Sequence, residues 1–134
     1  MKKPNKIEPQ IQNKIDEVID GILCNTPYND FRKEIQGYVA DVVRGRAYSK
    51  EAVFTVPYWA YRPTYPKNRK TKGGYFIYYV AHELTHLIAH KKFGGRCNHD
   101  SNFYKIFMEI CPKEYQHFEL GYKKTAAKYG ISKK

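Results

Sequence analysis

Apolar residues recur at helical spacing from the start of the chain: Ile7, Ile11, Ile15, Val18, Ile19, Ile22 and Leu23, with charges between them. That spacing predicts an amphipathic helix laid on a core, broken by Asn25, Thr26 and Pro27. A second helix is expected from Asn29 or Asp30, either of which can cap it. Its apolar face would be Phe31, Ile35, Tyr38, Val39, Val42 and Val43, fading at Gly45. Residues 52–61 (AVFTVPYWAY) are rich in β-branched and aromatic side chains and predict a strand. Pro57 cannot donate to a ladder, which points to an edge position or a bulge. An irregular loop follows through Pro63, Pro66 and Asn68 to Gly73-Gly74. From Tyr75 to Phe93 the pattern is helical again and apolar nearly all round, so that helix should be buried; Gly94-Gly95 ends it. Asp100 or Ser101 can open another helix, with Phe103, Tyr104, Phe107 and Ile110 inward and Pro112 as its stop. Residues 113–134 read as a short turn and a helix ending near Gly130. The order predicts one α+β domain: N-terminal helices over 1–48, a core over 52–120 and a basic tail over 121–134.

Composition changes this picture little. The chain has 134 residues, 42% of them hydrophobic and 16% aromatic, with 13 Tyr. That is enough to bury a core without disulfides. Cys24, Cys97 and Cys111 are odd in number and form no C-x-x-C pair, which argues against a disulfide framework and a four-Cys zinc ribbon. The basic start (Met1-Lys2-Lys3) leads into an amphipathic segment rather than an apolar one, so neither a signal peptide nor a membrane span is expected, and a cytoplasmic setting is.

Charge adds one thing. The net charge is +11, from 24 Lys+Arg against 13 Asp+Glu. Arg62, Lys67, Arg69, Lys70 and Lys72 fall in one stretch without an acid, and Lys123, Lys124, Lys128, Lys133 and Lys134 close the chain. Such a field suits polyanions, so the loop and tail are candidate DNA contacts; they serve equally as a solubilising surface.

The candidate chemistry lies in the buried helix, at His82-Glu83-Leu84-Thr85-His86. Residues four apart share one helix face, so two imidazoles can address one metal ion. Glu83 lies about 100° round the helix, near enough to act on a water at that metal without binding the metal itself. Neutral imidazole suits zinc, zinc acidifies water, and a carboxylate can take the proton during attack on a carbonyl. A helix that buried also makes two His and a Glu costly to desolvate without a partner.

A catalytic zinc needs a third protein ligand and an open position. Metzincin spacing would put a histidine at position 92, where this chain has Lys92. Thermolysin-type spacing would put a glutamate at position 106, where it has Ile106. His90 lies two turns from His82, too far along the axis to share the ion. His99, just beyond the glycine break, can fold back over the helix and is the favoured third ligand, with Glu109 the alternative. Asp100 serves as a cap or as a carboxylate orienting a ligand. Tyr104, Tyr115, His117 and Tyr122 are candidate oxyanion donors among which spacing does not choose.

These residues carry a resemblance. Tyr79-Val80-Ala81-His82-Glu83-Leu84-Thr85-His86, followed by His99-Asp100-Ser101-Asn102-Phe103-Tyr104, resembles the SprT-like zinc metallopeptidases and their relatives in the YgjP/WLM group. The stretch from Glu114 to Lys123 is similar to the tail of small phage-borne members. The resemblance implies a compact zincin-like α+β domain of minimal gluzincin type. Its helices would pack on a small antiparallel or mixed sheet, whose edge beside the zinc helix could hold an extended substrate. It implies His82, His86 and His99 as ligands of Zn2+ and Glu83 as catalytic base. The chain departs from it in lacking a Cys-rich ribbon and in the longer gap between His86 and His99.

The expected function is therefore a zinc-dependent metallopeptidase acting on protein or peptide, with DNA-associated proteins as candidate substrates. The alternative is a non-catalytic, zinc-stabilised nucleic-acid-binding module, for which an intact Glu83 has no use. A deformylase-type amidase would want a Cys ligand upstream, and only the distant Cys24 precedes His82.

Overall fold

The protein is described here from a computed structural model covering residues 9–61, 74–94 and 101–119. Helix α1 spans Pro9–Leu23. It opens on proline, whose missing N–H costs nothing in a first turn. Its stripe of Ile11, Ile15, Val18, Ile19, Ile22 and Leu23 is buried. The Thr26 hydroxyl then donates to the Leu23 carbonyl at 2.9 Å and closes the end.

The second helix expected from the sequence does not form. Residues Asn29–Glu34 make only a 3-10 turn, and Gln36–Ala40 is strand β1. Ile35 and Val39 sit four apart, which suits a helical stripe, but Ile35, Gly37 and Val39 also alternate with half-buried Gln36 and Tyr38. Glycine weakens a helix interior, and the ladder offered by a distant strand takes these backbone groups instead. The N-terminal 48 residues are thus not wholly helical.

Strand β2 is Arg46–Tyr48 and strand β3 is Val53–Pro57. The order is β1-β3-β2. β1 runs parallel to β3 with Gln36 opposite Val53 and Ala40 opposite Pro57. β2 runs antiparallel to it with Arg46 opposite Thr55. β3 is therefore central, not an edge. Pro57 is tolerated because it is the last residue of the strand, beyond which a 3-10 turn over Tyr58–Ala60 needs no ladder donor.

Helix α2 spans Gly74–Phe93 and helix α3 spans Ser101–Ile110, both as the periodicity predicts. The last turn of α2 ends at Gly94, whose φ of 73° is the left-handed conformation that favours glycine. α2 packs against β3 and β2 and touches both α1 and α3. Leu84, Leu87, Ile88, Phe54, Phe103, Ile106 and Phe107 make the fully buried centre where these elements meet. A 3-10 segment, Lys113–Phe118, folds back on α2. The result is an α+β domain with helices packed on a small mixed sheet of three strands. No helix among the described residues is long and apolar enough to cross a membrane.

Candidate metal centre

α2 is buried along most of its length, so polar side chains survive on it only where something faces them. His82 and His86 do so on one face. Their ring centroids are 5.1 Å apart at an interplanar angle of 72°. Phe103 of α3 lies against both, 5.1 Å from His82 and 4.8 Å from His86. This apolar ring holds two imidazoles side by side and excludes water from behind them.

Both histidines open onto a cleft of about 1070 Å³. One wall is the α2 face of Tyr75, Tyr78, Tyr79, His82, Glu83, His86 and His90. The other is the segment through β2, with Arg44, Arg46, Ser49 and Lys50. The wall stands close because Gly45 has no side chain. A Cβ there would collide with the Thr55 carbonyl oxygen and lie 2.8 Å from the Tyr79 ring. The Gly45 N–H instead donates to the Tyr79 hydroxyl at 2.9 Å. Trp59 adds a second tie, stacking on Tyr75 and donating its indole N–H to the Val43 carbonyl at 2.9 Å.

Glu83 is the anomaly of the site. It is 6% exposed, yet its carboxylate forms no hydrogen bond or ion pair among the described residues. Its surroundings press it toward the neutral form. Burial pushes its pKa up to about 7, the neighbouring His82 pulling down and the Glu119 charge pushing further up. Glu83 is thus a nearly buried acid that lines the cleft and has no hydrogen-bond partner among the described residues.

Glu119 was not among the residues singled out from the sequence. Its Oε1 lies 2.6 Å from Nδ1 of His82. The Tyr78 hydroxyl donates to the same oxygen at 2.8 Å, and the Tyr104 hydroxyl to Oε2 at 3.2 Å. Burial opposes the charge on each partner. The pair still holds Glu119 below the usual carboxylate range and His82 above the usual imidazole range, because each stabilises the charge of the other. Burial, and then the Glu119 charge, push the Tyr78 hydroxyl far up, so it stays a donor. When His82 is neutral, a carboxylate held by these donors keeps the proton on Nδ1 and leaves the lone pair on Nε2. The only sequence signal was an acid between Phe118 and Leu120 in a segment of no clear period.

The remaining expected residues divide. Glu109 is exposed on α3 and takes the Tyr28 hydroxyl at 2.8 Å; it does not line the cleft. Tyr104 is committed to Glu119. His90 lines the cleft with His82 and His86. His99 lies outside the described residues, as do Asp100, Tyr122 and the basic stretch Arg62, Lys67, Arg69, Lys70 and Lys72. Among the described residues no group of three or more His, Cys, Asp or Glu is arranged to hold a metal ion. The pair that does meet is two imidazoles, and imidazole is a ligand that suits zinc.

Set against protein-family models, curated proteins and solved structures, the chain matches none of them significantly.

Proposed function

We propose that this chain is a zinc-dependent metallopeptidase of the SprT-like kind, with a zincin-like fold. One observation carries the reading. His82 and His86 stand together on a cleft that the nearly buried Glu83 also lines, with no hydrogen-bond partner of its own among the described residues. In this reading His82, His86 and His99 hold zinc, which when bound supplies a Lewis acid to a peptide carbonyl and acidifies water. Glu83 accepts the proton of the attacking water and returns it to the leaving amine. A carboxyl near neutrality suits both transfers, and a cation beside it would draw its pKa down again. Arg44, Arg46 and Lys50 on the facing wall favour a polypeptide that carries acidic side chains near the cleaved bond. The basic stretch over 62–72 and the tail beyond 120 are the proposed DNA contacts, which would bring the site to DNA-associated proteins. A zinc-stabilised nucleic-acid module without turnover would give Glu83 nothing to do.

Elemental analysis of protein purified without chelator tests the reading. About one zinc per chain is expected, lost in His82→Ala and reduced in His99→Ala. Glu83→Gln should keep zinc and fold while hydrolysis drops by a factor on the order of 10² to 10⁴. A metal-free parent, or full activity in Glu83→Gln, would overturn it.

A further inference from the structure

Glu119 occupies a place that the HELTH segment does not account for. It belongs to the C-terminal segment that follows α3, not to the helix carrying the histidines. That segment is anchored from both sides. Gln116 donates to the carbonyls of Met108 and Cys111, at 3.3 and 2.8 Å, and Phe118 packs edge-on against Tyr75 of α2, with centroids 5.2 Å apart. Its last described residue then turns inward. The Glu119 side chain is only 13% exposed and His82 only 17%, so two ionisable groups have been taken out of water to meet. Such burial is costly unless every oxygen is satisfied. Tyr78, Tyr104 and His82 satisfy them.

Both oxygens of Glu119 are engaged by donors, Oε1 by His82 and Tyr78 and Oε2 by Tyr104. A carboxylate so occupied is not a metal ligand in this arrangement. It holds a ligand. A histidine whose Nδ1–H is fixed on a carboxylate has its ring plane set and its Nε2 lone pair directed and made more basic. Tyr78, one turn before His82, and Tyr104, one residue after Phe103, in turn keep the carboxylate from rotating.

We propose that Glu119, clamped by Tyr78 and Tyr104, is the positioning residue that orients His82 toward the metal, so that the C-terminal segment completes the centre. This rests on the zinc reading above. It makes the metal site depend on three elements: α2 for the imidazoles, α3 for the Phe103 brace and the Tyr104 clamp, and the segment 113–119 for the acceptor.

The test compares the parent with Glu119→Gln, Glu119→Asp and Tyr104→Phe, each checked for fold by circular dichroism. Zinc affinity is measured by competition with a chromophoric chelator. The His82 tautomer is read in the metal-free proteins, at a pH high enough for the ring to be neutral, by long-range imidazole nitrogen–proton correlation. Glu119→Gln is expected to weaken zinc binding about ten- to a hundredfold and to shift His82 away from the Nδ1-protonated form. Glu119→Asp should recover part of both, and Tyr104→Phe should give a smaller loss in the same direction. Should Glu119→Gln fail to fold, the other two variants decide. Zinc bound equally by parent and variants, with an unchanged tautomer, would overturn this proposal and leave the zinc reading standing. No zinc in the parent would instead overturn the zinc reading and this proposal together, and the imidazole correlation would still report whether Glu119 sets the His82 tautomer.

Discussion

Glu83 is a nearly buried acid beside the cleft, and that has a measurable consequence of its own. In chelator-treated protein its carboxyl titrates near 7 instead of the ordinary 4.5. A raised acid pKa means that the folded state holds the proton more tightly than the unfolded chain does. The stability this group contributes is therefore fully present below pH 4.5 and is lost as pH rises through about 7. At about 1.4 kcal/mol per pKa unit, the whole loss is roughly 3 kcal/mol. Glu83→Gln, which cannot ionise, should gain little over the parent at about pH 4 and about that amount at about pH 8. Denaturant unfolding of both proteins across this range checks it, and a difference that stays flat with pH would mean Glu83 ionises without penalty. His82 and Glu119 show the other solution to the same problem, two buried ionisable groups that satisfy each other through a hydrogen bond. Glu83 has no such hydrogen-bonded partner among the described residues.

Among the elements, α3 acts on the site from behind. Its Phe103 is fully buried and touches both imidazoles. Phe103→Ala should cost about 3–5 kcal/mol of stability through the cavity it leaves, and the freed rings should bind zinc less tightly. Thermal unfolding with and without added zinc reads both effects; a variant destabilised yet unchanged in zinc affinity would limit Phe103 to the core. The opposite wall depends on a close approach. Gly45→Ala would drive a methyl into the Thr55 carbonyl and the Tyr79 ring, so a loss of about 1–3 kcal/mol is expected, as for overpacking elsewhere. Stability equal to the parent would show that the wall can move outward. β2 owes its place beside α2 to this contact as much as to its three-residue pairing with β3.

For the molecule as a whole, the question is where the charge goes. A net charge of +11 would mean little if spread evenly. Arg44, Arg46 and Lys50 instead stand on the wall facing His82 and Glu83, with Glu51 the one acid beside them. Arg44→Glu combined with Arg46→Glu should raise KM for acidic peptides about tenfold while kcat changes little, on the order of 1 kcal/mol for two exposed pairs. The effect should fade toward about 1 M salt, where the screening length falls to about 3 Å. An unchanged KM would place recognition elsewhere, the stretch over 62–72 being the next to test.

Much was legible without coordinates. The periods of α1, α2 and α3, the glycine that ends α2 and the i, i+4 pairing of His82 and His86 are local patterns. Backbone geometry turns a spacing of four residues into a shared face whatever the rest of the chain does. Glu83 followed from the same turn of helix. What the sequence could not decide lay wherever two readings fit the same residues, or where the partner was far along the chain. Ile35 and Val39 suit a helical stripe and an alternating strand alike, and only β3, reached through β2, tipped 36–40 into the sheet. Pro57 suggested an edge, and only the strand order put it at the end of the central strand. Glu119 lies 37 residues from His82, a separation that leaves no periodic trace. The hydrogen bonds from Tyr78, Tyr104 and His82 that offset the cost of taking Glu119 out of water form only once the helices have packed.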